Sequence, residues 1–194
     1  MDTLTKSPIE TFPVKFNFSL DMVPGETIAA EVITCVNAAT GVTSKTAIID
    51  SEAIASPDVV IVVKAGTEDD EHRIQCVVET SAGAVFQRDL LLCIHSEVTD
   101  SFTKQPDDAF AFDVDFTRRL ESGDTVASAV VAAVKESDGS DAAALVPGVV
   151  VSTPLVAVAV LDGDDGKTYR LGVQGTTTAG YVYEKFVRMN VQEF

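Results

Sequence analysis

In VKFNFSLD (Val14–Asp21) the apolar Val14, Phe16, Phe18 and Leu20 alternate with Lys15, Asn17, Ser19 and Asp21. A period of two puts one set of side chains on the buried face of a strand and the other in water. FDVDFT (Phe112–Thr117) has the same alternation, with Phe112, Val114 and Phe116 inward. PGET (Pro24–Thr27) and SGDT (Ser122–Thr125) read as turns, and strands follow from Thr27 and Thr125. Valine-rich strands come next, at Val59–Val63 and Val156–Leu161, each followed by an acidic turn, GTEDDE and DGDDGK. The last two strands of each half flank TSAG and TTAG, short hairpin loops with glycine at the left-handed position. Helical periodicity is weak everywhere; SDGSDAAAL (Ser137–Leu145) reads as a loop in preference to a helical turn.

These elements occur twice, in constant register. TKSP (Thr5–Pro8) lies over TKQP (Thr103–Pro106), Phe12 over Phe110 and Phe18 over Phe116. Gly25, Thr27 and Ala29 lie over Gly123, Thr125 and Ala127. After a one-residue deletion, HRIQCVVETSAGAVF (His72–Phe86) lies over YRLGVQGTTTAGYVY (Tyr169–Tyr183), and Ile94 over Val191. An ordered series of matches marks a duplicated unit. The sequence predicts an all-β chain of two tandem immunoglobulin-like antiparallel β-sandwich domains, residues 1–98 and 99–194. The join is expected near Glu97–Ser101, a linker of about five residues. The Cys…Trp…Cys signature of antibody domains is missing from both copies, so only the architecture is implied.

The formal charge of −16 is spread over both halves. Such a field repels nucleic acid and anionic membrane surfaces. The N-terminal MDTLTKSPIETF lacks a basic start followed by an apolar run, and VVVSTPLVAVAVL is short and interrupted by Pro154. A soluble protein made in the cytoplasm is expected.

Candidate chemistry is sparse. The two histidines, His72 and His95, lie over Tyr169 and Gln192, in or beside strands, without convergent partners in the sequence. The three cysteines, Cys35, Cys76 and Cys93, lie over Ala133, Val173 and Asn190. One copy does without each thiol, and structural cysteines are expected in place of a disulfide framework. Asp162, Asp164 and Asp165 in DGDDG are dense enough to suggest calcium. However, Gly166 stands at the fifth loop position and Val173 at the twelfth, so the EF-hand spacing fails. The first copy has Glu68–Glu71 at a different spacing, and both runs read as acidic hairpin tips. No nucleophile elbow, phosphate loop or basic aromatic stripe occurs. The sequence therefore predicts no enzyme, no cofactor, no metal, and no catalytic or cofactor-binding residue.

FTKQPDDAFAFDVDF (Phe102–Phe116), SGDTVASAVV (Ser122–Val131), DGDDGKTYRLGV (Asp162–Val173) and TTTAGYVYEKFVRMNV (Thr176–Val191) together resemble a repeat of short phage virion proteins. These are the small immunoglobulin-like structural proteins of tailed bacteriophages, some of them fibre–tail adaptors. The first copy follows the pattern more loosely, with Glu26 for the turn aspartate and His72 for the strand tyrosine. The matching residues are turn and core positions, so they speak to fold and family more than to a binding site. The usual family member has one such domain, and the duplication departs from it.

The resemblance implies a structural protein of the virion at tail or neck, in a symmetric multi-copy assembly with other virion proteins. The acidic charge predicts no binding to nucleic acid or membrane. A capsid decoration protein is the alternative. A carbohydrate-binding or host-recognition module needs exposed aromatic platforms, for which Tyr181 and Tyr183 are the candidates. The terminal VRMNVQEF is expected to end either as an added edge strand with Phe194 packed on a neighbour or as a frayed, exposed end.

Overall fold

A computed structural model describes residues Met1–Phe194. The chain forms two compact units, Met1–Ser96 and Glu97–Phe194. The first contains β1 (Asp2–Lys6), β2 (Phe12–Asn17), β3 (Ile28–Asn37), the one-turn helix α1 (Lys45–Ile48), β4 (Ile49–Ala55), β5 (Asp58–Val63), β6 (Glu71–Thr80) and β7 (Val85–Ile94). The second contains β8 (Val98–Lys104), β9 (Phe110–Asp115), β10 (Val126–Lys135), β11 (Gly148–Ser152), β12 (Leu155–Val160), β13 (Lys167–Thr177) and β14 (Val182–Val191).

Each unit is a sandwich of a four-stranded and a three-stranded sheet. The orders are β1-β7-β6-β3 and β2-β5-β4 in the first, β8-β14-β13-β10 and β9-β12-β11 in the second. The opening strand of each unit runs parallel to its last strand, and all other pairings are antiparallel. This is the immunoglobulin-like architecture that the alternating patterns predict.

The alternation fills the cores. Phe18, Ile61, Ile74 and Leu92 are fully buried in the first unit, and Phe116, Val156, Leu171 and Met189 in the second. Removing each such side chain from water contributes about 1.5–3 kcal/mol before entropy is charged against it. A cation lies over the same core phenylalanine in each copy: Arg88 is 5.2 Å from the Phe18 ring centroid and Lys185 is 5.9 Å from that of Phe116. In the second unit Phe102 also joins the sheets, with ring centroids 5.4 Å from Phe110 and 4.9 Å from Phe112.

Several local expectations change. Leu20, placed inward by alternation, lies in a turn beyond the end of β2 and is 96% exposed. The strand stops short of the alternation because Ser19 donates no ladder bond: its N–H and hydroxyl both donate to the Asn17 side-chain oxygen. The expected linker Glu97–Ser101 is largely strand. Val98–Ser101 opens β8 and pairs with Phe186–Arg188, leaving His95–Glu97 as the connection between strands. VRMNVQEF is no edge strand, because β14 lies between β13 and β8; Phe194 lies beyond it and is 80% exposed. The loop 137–145 closes in a single 3₁₀ turn at Ala143–Leu145. VVVSTPLVAVAVL is the hairpin β11–β12, and no helix is long and apolar enough to cross a membrane.

Candidate functional site

The two histidines have different environments. His72 is the second residue of β6, on its inward face and 3% exposed, with Nδ1 2.9 Å from Ser44 Oγ; that oxygen is 3.4 Å from Cys35 Sγ. Ser44 stands at the N-cap of α1, yet its side chain makes no capping bond and faces the imidazole. Burial holds the His72 imidazole below its ordinary value, and Lys6 acts the same way against the opposing pull of Asp70. A serine beside a neutral histidine is half of a hydrolytic arrangement. The other half, an acid on the far ring nitrogen to orient the ring, is missing: Nε2 is buried with no hydrogen-bond partner. In the second unit Tyr169 takes this place, and its hydroxyl accepts the Asp164 N–H at 3.1 Å.

The acidic turns spend their carboxylates separately. Asp164 Oδ2 lies 2.9 Å from Lys135 Nζ, a contact that lowers the carboxyl pKa and raises that of the amine. Asp165 Oδ1 accepts the Glu193 N–H at 2.8 Å. In the first unit Glu68 Oε1 accepts the Ser96 N–H at 2.8 Å, the repeat-equivalent bond. Here His95 joins the turn, with Nδ1 3.1 Å from both Glu68 and Asp69. The ligand atoms of Glu68, Asp69 and His95 all lie within 4.8 Å of one another, the spacing of a cation site. The three are exposed, and their bonds to one another and to Ser96 account for the arrangement.

The repeat motifs have structural work that their spacing alone does not reveal. Lys6 and Lys104, the lysines of TKSP and TKQP, are 1% and 2% exposed. Lys104 Nζ donates to the carbonyls of Gln105, Pro106 and Asp162; Lys6 Nζ donates to those of Ser7 and Ala65. Beyond each lysine the chain turns on an acid: Ser7 N–H donates to Glu10 and Gln105 N–H to Asp108, both at 2.9 Å. The clue was available, because Lys6 and Lys104 are in phase with Leu4 and Phe102 on the inward face of their strands.

The turn acids of PGET and SGDT reach across to the last hairpin of their unit. Thr80 donates its hydroxyl to Glu26, and Thr178 donates to Asp124 at 2.6 Å. The Thr80 bond holds the Glu26 pKa down. At Asp124 burial opposes the charge, but bonds from Thr178, Thr177, Thr125 and Ala179 outweigh it, and the net shift is downward.

The remaining candidates are core or surface residues. Burial raises the Cys35 thiol and pushes that of Cys76 up to about 12; half-exposed Cys93 is also raised, chiefly by desolvation. Tyr183 is 3% exposed, with its phenol pushed up to about 12 by burial, and so is no stacking platform for a sugar. Three open hollows line these loops: one of about 480 Å³ beside Thr103, Asp165 and Gln192, one of about 420 Å³ beside Ser44 and His72, and one of about 300 Å³ at the equivalent Ala142 and Tyr169. None gathers the nucleophile, oriented base and anion donors of a catalytic centre. What the surface does offer is main chain: each four-stranded sheet ends in a ten-residue strand, β3 or β10, with a neighbour on one side only.

Comparison with protein families matches the model described as podophage GP4 fiber-tail adaptor protein gp77 to residues 6–93 and again to 104–190. Comparison with curated proteins finds no match. Among solved structures, a chimeric titin Z1Z2 functionalised with an exogenous KLER peptide from decorin is 8% identical. It aligns over 100% of this chain and 94% of its own, with a TM-score of 0.37. The N-terminal Ig1-2 module of the Drosophila receptor protein tyrosine phosphatase DLAR is 9% identical over 99% and 95% of the two chains, with a TM-score of 0.33.

Proposed function

The chain belongs to the podophage fiber-tail adaptor family, and on that premise we propose that it is a non-enzymatic structural protein of a tailed-phage virion. In this reading it sits at the tail or neck and docks fibres or other tail proteins there. The observation that carries the reading is the double family match, one copy in each compact unit. The repeats, residues 1–98 and 99–194, act as two domains, each with its own docking surfaces. A connection of only three residues between their strands keeps the second contact at high effective concentration once the first has formed.

Several copies arranged with the symmetry of the tail would present these surfaces as a ring. The charge of −16 suits a protein that must bind protein while avoiding nucleic acid. The buried lysines, the threonine-tied acids and the isolated Ser44–His72 pair support a structural role, since each is consumed in holding a turn or filling a core.

Cryo-electron microscopy of intact virions tests the proposal. Density for paired sandwiches on a tail or neck ring in contact with fibres is the expected result. Density spread over the head lattice makes the protein a capsid decoration protein, and absence from the particle removes both structural roles.

A further inference from the structure

The two repeats differ most consequentially at their open sheet edges. β10 ends its sheet, with β13 as its single neighbour. The loop after it clips its far end: Ala142 N–H donates to Ala133 O at 2.8 Å and Lys135 N–H to Ser140 O at 2.9 Å. Main-chain groups alternate sides along a strand. Ala129 and Val131, in phase with Ala133 and Lys135, therefore point their N–H and C=O groups away from β13, where no main-chain bond takes them up. No residue from Val126 to Val134 is charged, and Val130 is 62% exposed.

β3 is built alike. Ser44 N–H donates to Cys35 O and Asn37 N–H to Val42 O, both at 2.9 Å, and Val32 at the position of Val130 is 60% exposed. But the residue in the place of Ala129 is Glu31. It is in phase with Ile33 and Cys35, 4% and 1% exposed, on the core-facing side of the edge. A strand added to β3 would bury that carboxylate. An inward-pointing charge is a standard guard against edge pairing, and β10 lacks it.

We infer that β10 pairs with β10 of a second copy of this chain, antiparallel, across a two-fold axis near Val130. Two proteins that each carry −16 meet with least repulsion where neither has charge, and β10 offers nine such residues. A two-fold pairing about this point sets odd-numbered residues against odd ones. Free N–H and C=O groups of Ala129 and Val131 then exchange bonds with those of the mate, and the small side chains fall on matching faces. The exposed Val130 is covered at the same time. The contact is short, bounded by the clip at Ala133 and by the irregularity between Val126 and Ser128, so the association is concentration-dependent. Being two-fold, it joins copies in pairs and leaves the ring proposed above to be closed by other surfaces. Because the test uses purified protein and no virions, either reading can fail without the other.

Sedimentation of the full chain at about 100 µM is the test. The expected species has twice the 20.5 kDa chain mass. Ala129→Glu, which imports the guard of the first unit, is expected to weaken the dimer at least tenfold while leaving the melting curve of the dilute monomer unchanged, since β3 folds with Glu31 in that place. Hydrogen exchange on wild-type protein is expected to slow in the Val126–Val134 segment as concentration rises. A chain that stays monomeric overturns the inference. So does a dimer that Ala129→Glu leaves intact and whose β10 amides gain no protection.

Discussion

Lys104 Nζ lies 2.5 Å from the carbonyl oxygen of Asp162, a residue held in the left-handed region at φ 53°. Lys6 makes the same bond, also 2.5 Å, to Ala65, which has φ 46°. In each unit the last residue of the opening strand thus pins the turn that leads into the long hairpin. The ammonium has left water to do so, and backbone oxygens satisfy it. Replacing Lys104 with methionine keeps the apolar stem and removes that desolvation cost. It also leaves the carbonyls of Pro106 and Asp162 without their donor, the second in a turn that already carries backbone strain, while Gln105 keeps the Asp108 N–H at 3.2 Å. Each orphaned acceptor costs about 1–3 kcal/mol, so the loss outweighs the relief. Lys104→Met is expected to lower the stability of the second unit by about 3 kcal/mol. Urea unfolding followed through Tyr169 and Tyr183, both in that unit, measures it; an unchanged midpoint would mean the clamp is dispensable.

Gly163 follows Asp162 in the same turn, at φ 125°, and a Cβ built there would stand 2.8 Å from Val191 Cγ2. Gly66, its counterpart, has φ 123° and would meet Ile94 at 2.9 Å. Backbone preference and the packed end of the last strand both demand glycine here. Gly163→Ala is expected to destabilise the second unit by about 2–3 kcal/mol. Gly123→Ala is the comparison: φ is 85° there, but nothing lies within 4 Å, so only the conformational cost remains. If the two variants melt together, the contact with Val191 contributes nothing.

The sandwiches were legible because alternation is a local signal. Phe16, Phe18, Val114 and Phe116 are buried where a period of two places them. The duplication was legible because turn residues such as Gly25 and Gly123 keep register. Leu20 shows the limit: alternation does not say where a strand stops, and the Asn17 side chain ends this one by capturing Ser19. The opening strand of each unit was hidden for another reason. Its ladder is parallel to the far end of the chain segment, and such pairing leaves no local mark, so Val98–Ser101 resembled a linker. Lys6 and Lys104 were visible as repeat landmarks, but polarity argued for the surface, and only the carbonyls of a distant turn explain their burial. Glu68 and His95 stand too far apart in sequence for their pairing to be read from it.

His72 gives the first unit a pH dependence that the second lacks. Its imidazole is buried and held below the ordinary value of 6.5. The unfolded chain takes up a proton as pH falls through about 6.5, whereas the folded unit does so only at its lower value. In that interval the unfolded state binds more protons, so stability rises with pH and is lost on acidification. Above about 6.5 both states hold a neutral ring and the effect vanishes. The carboxylates lowered in both units, Glu26 and Asp124 among them, act in a separate and more acidic window. His72→Tyr installs the residue that fills this place in the second unit and is expected to flatten the first unit's stability between pH 7 and about pH 5. Thermal unfolding across that range, with thiol labelling of buried Cys35 and Cys76 to report the first unit alone, measures it. A wild-type first unit equally stable at both ends of the range would show that the imidazole titrates alike in the folded and unfolded chain, through an opening of the Ser44 loop that admits water to Nε2.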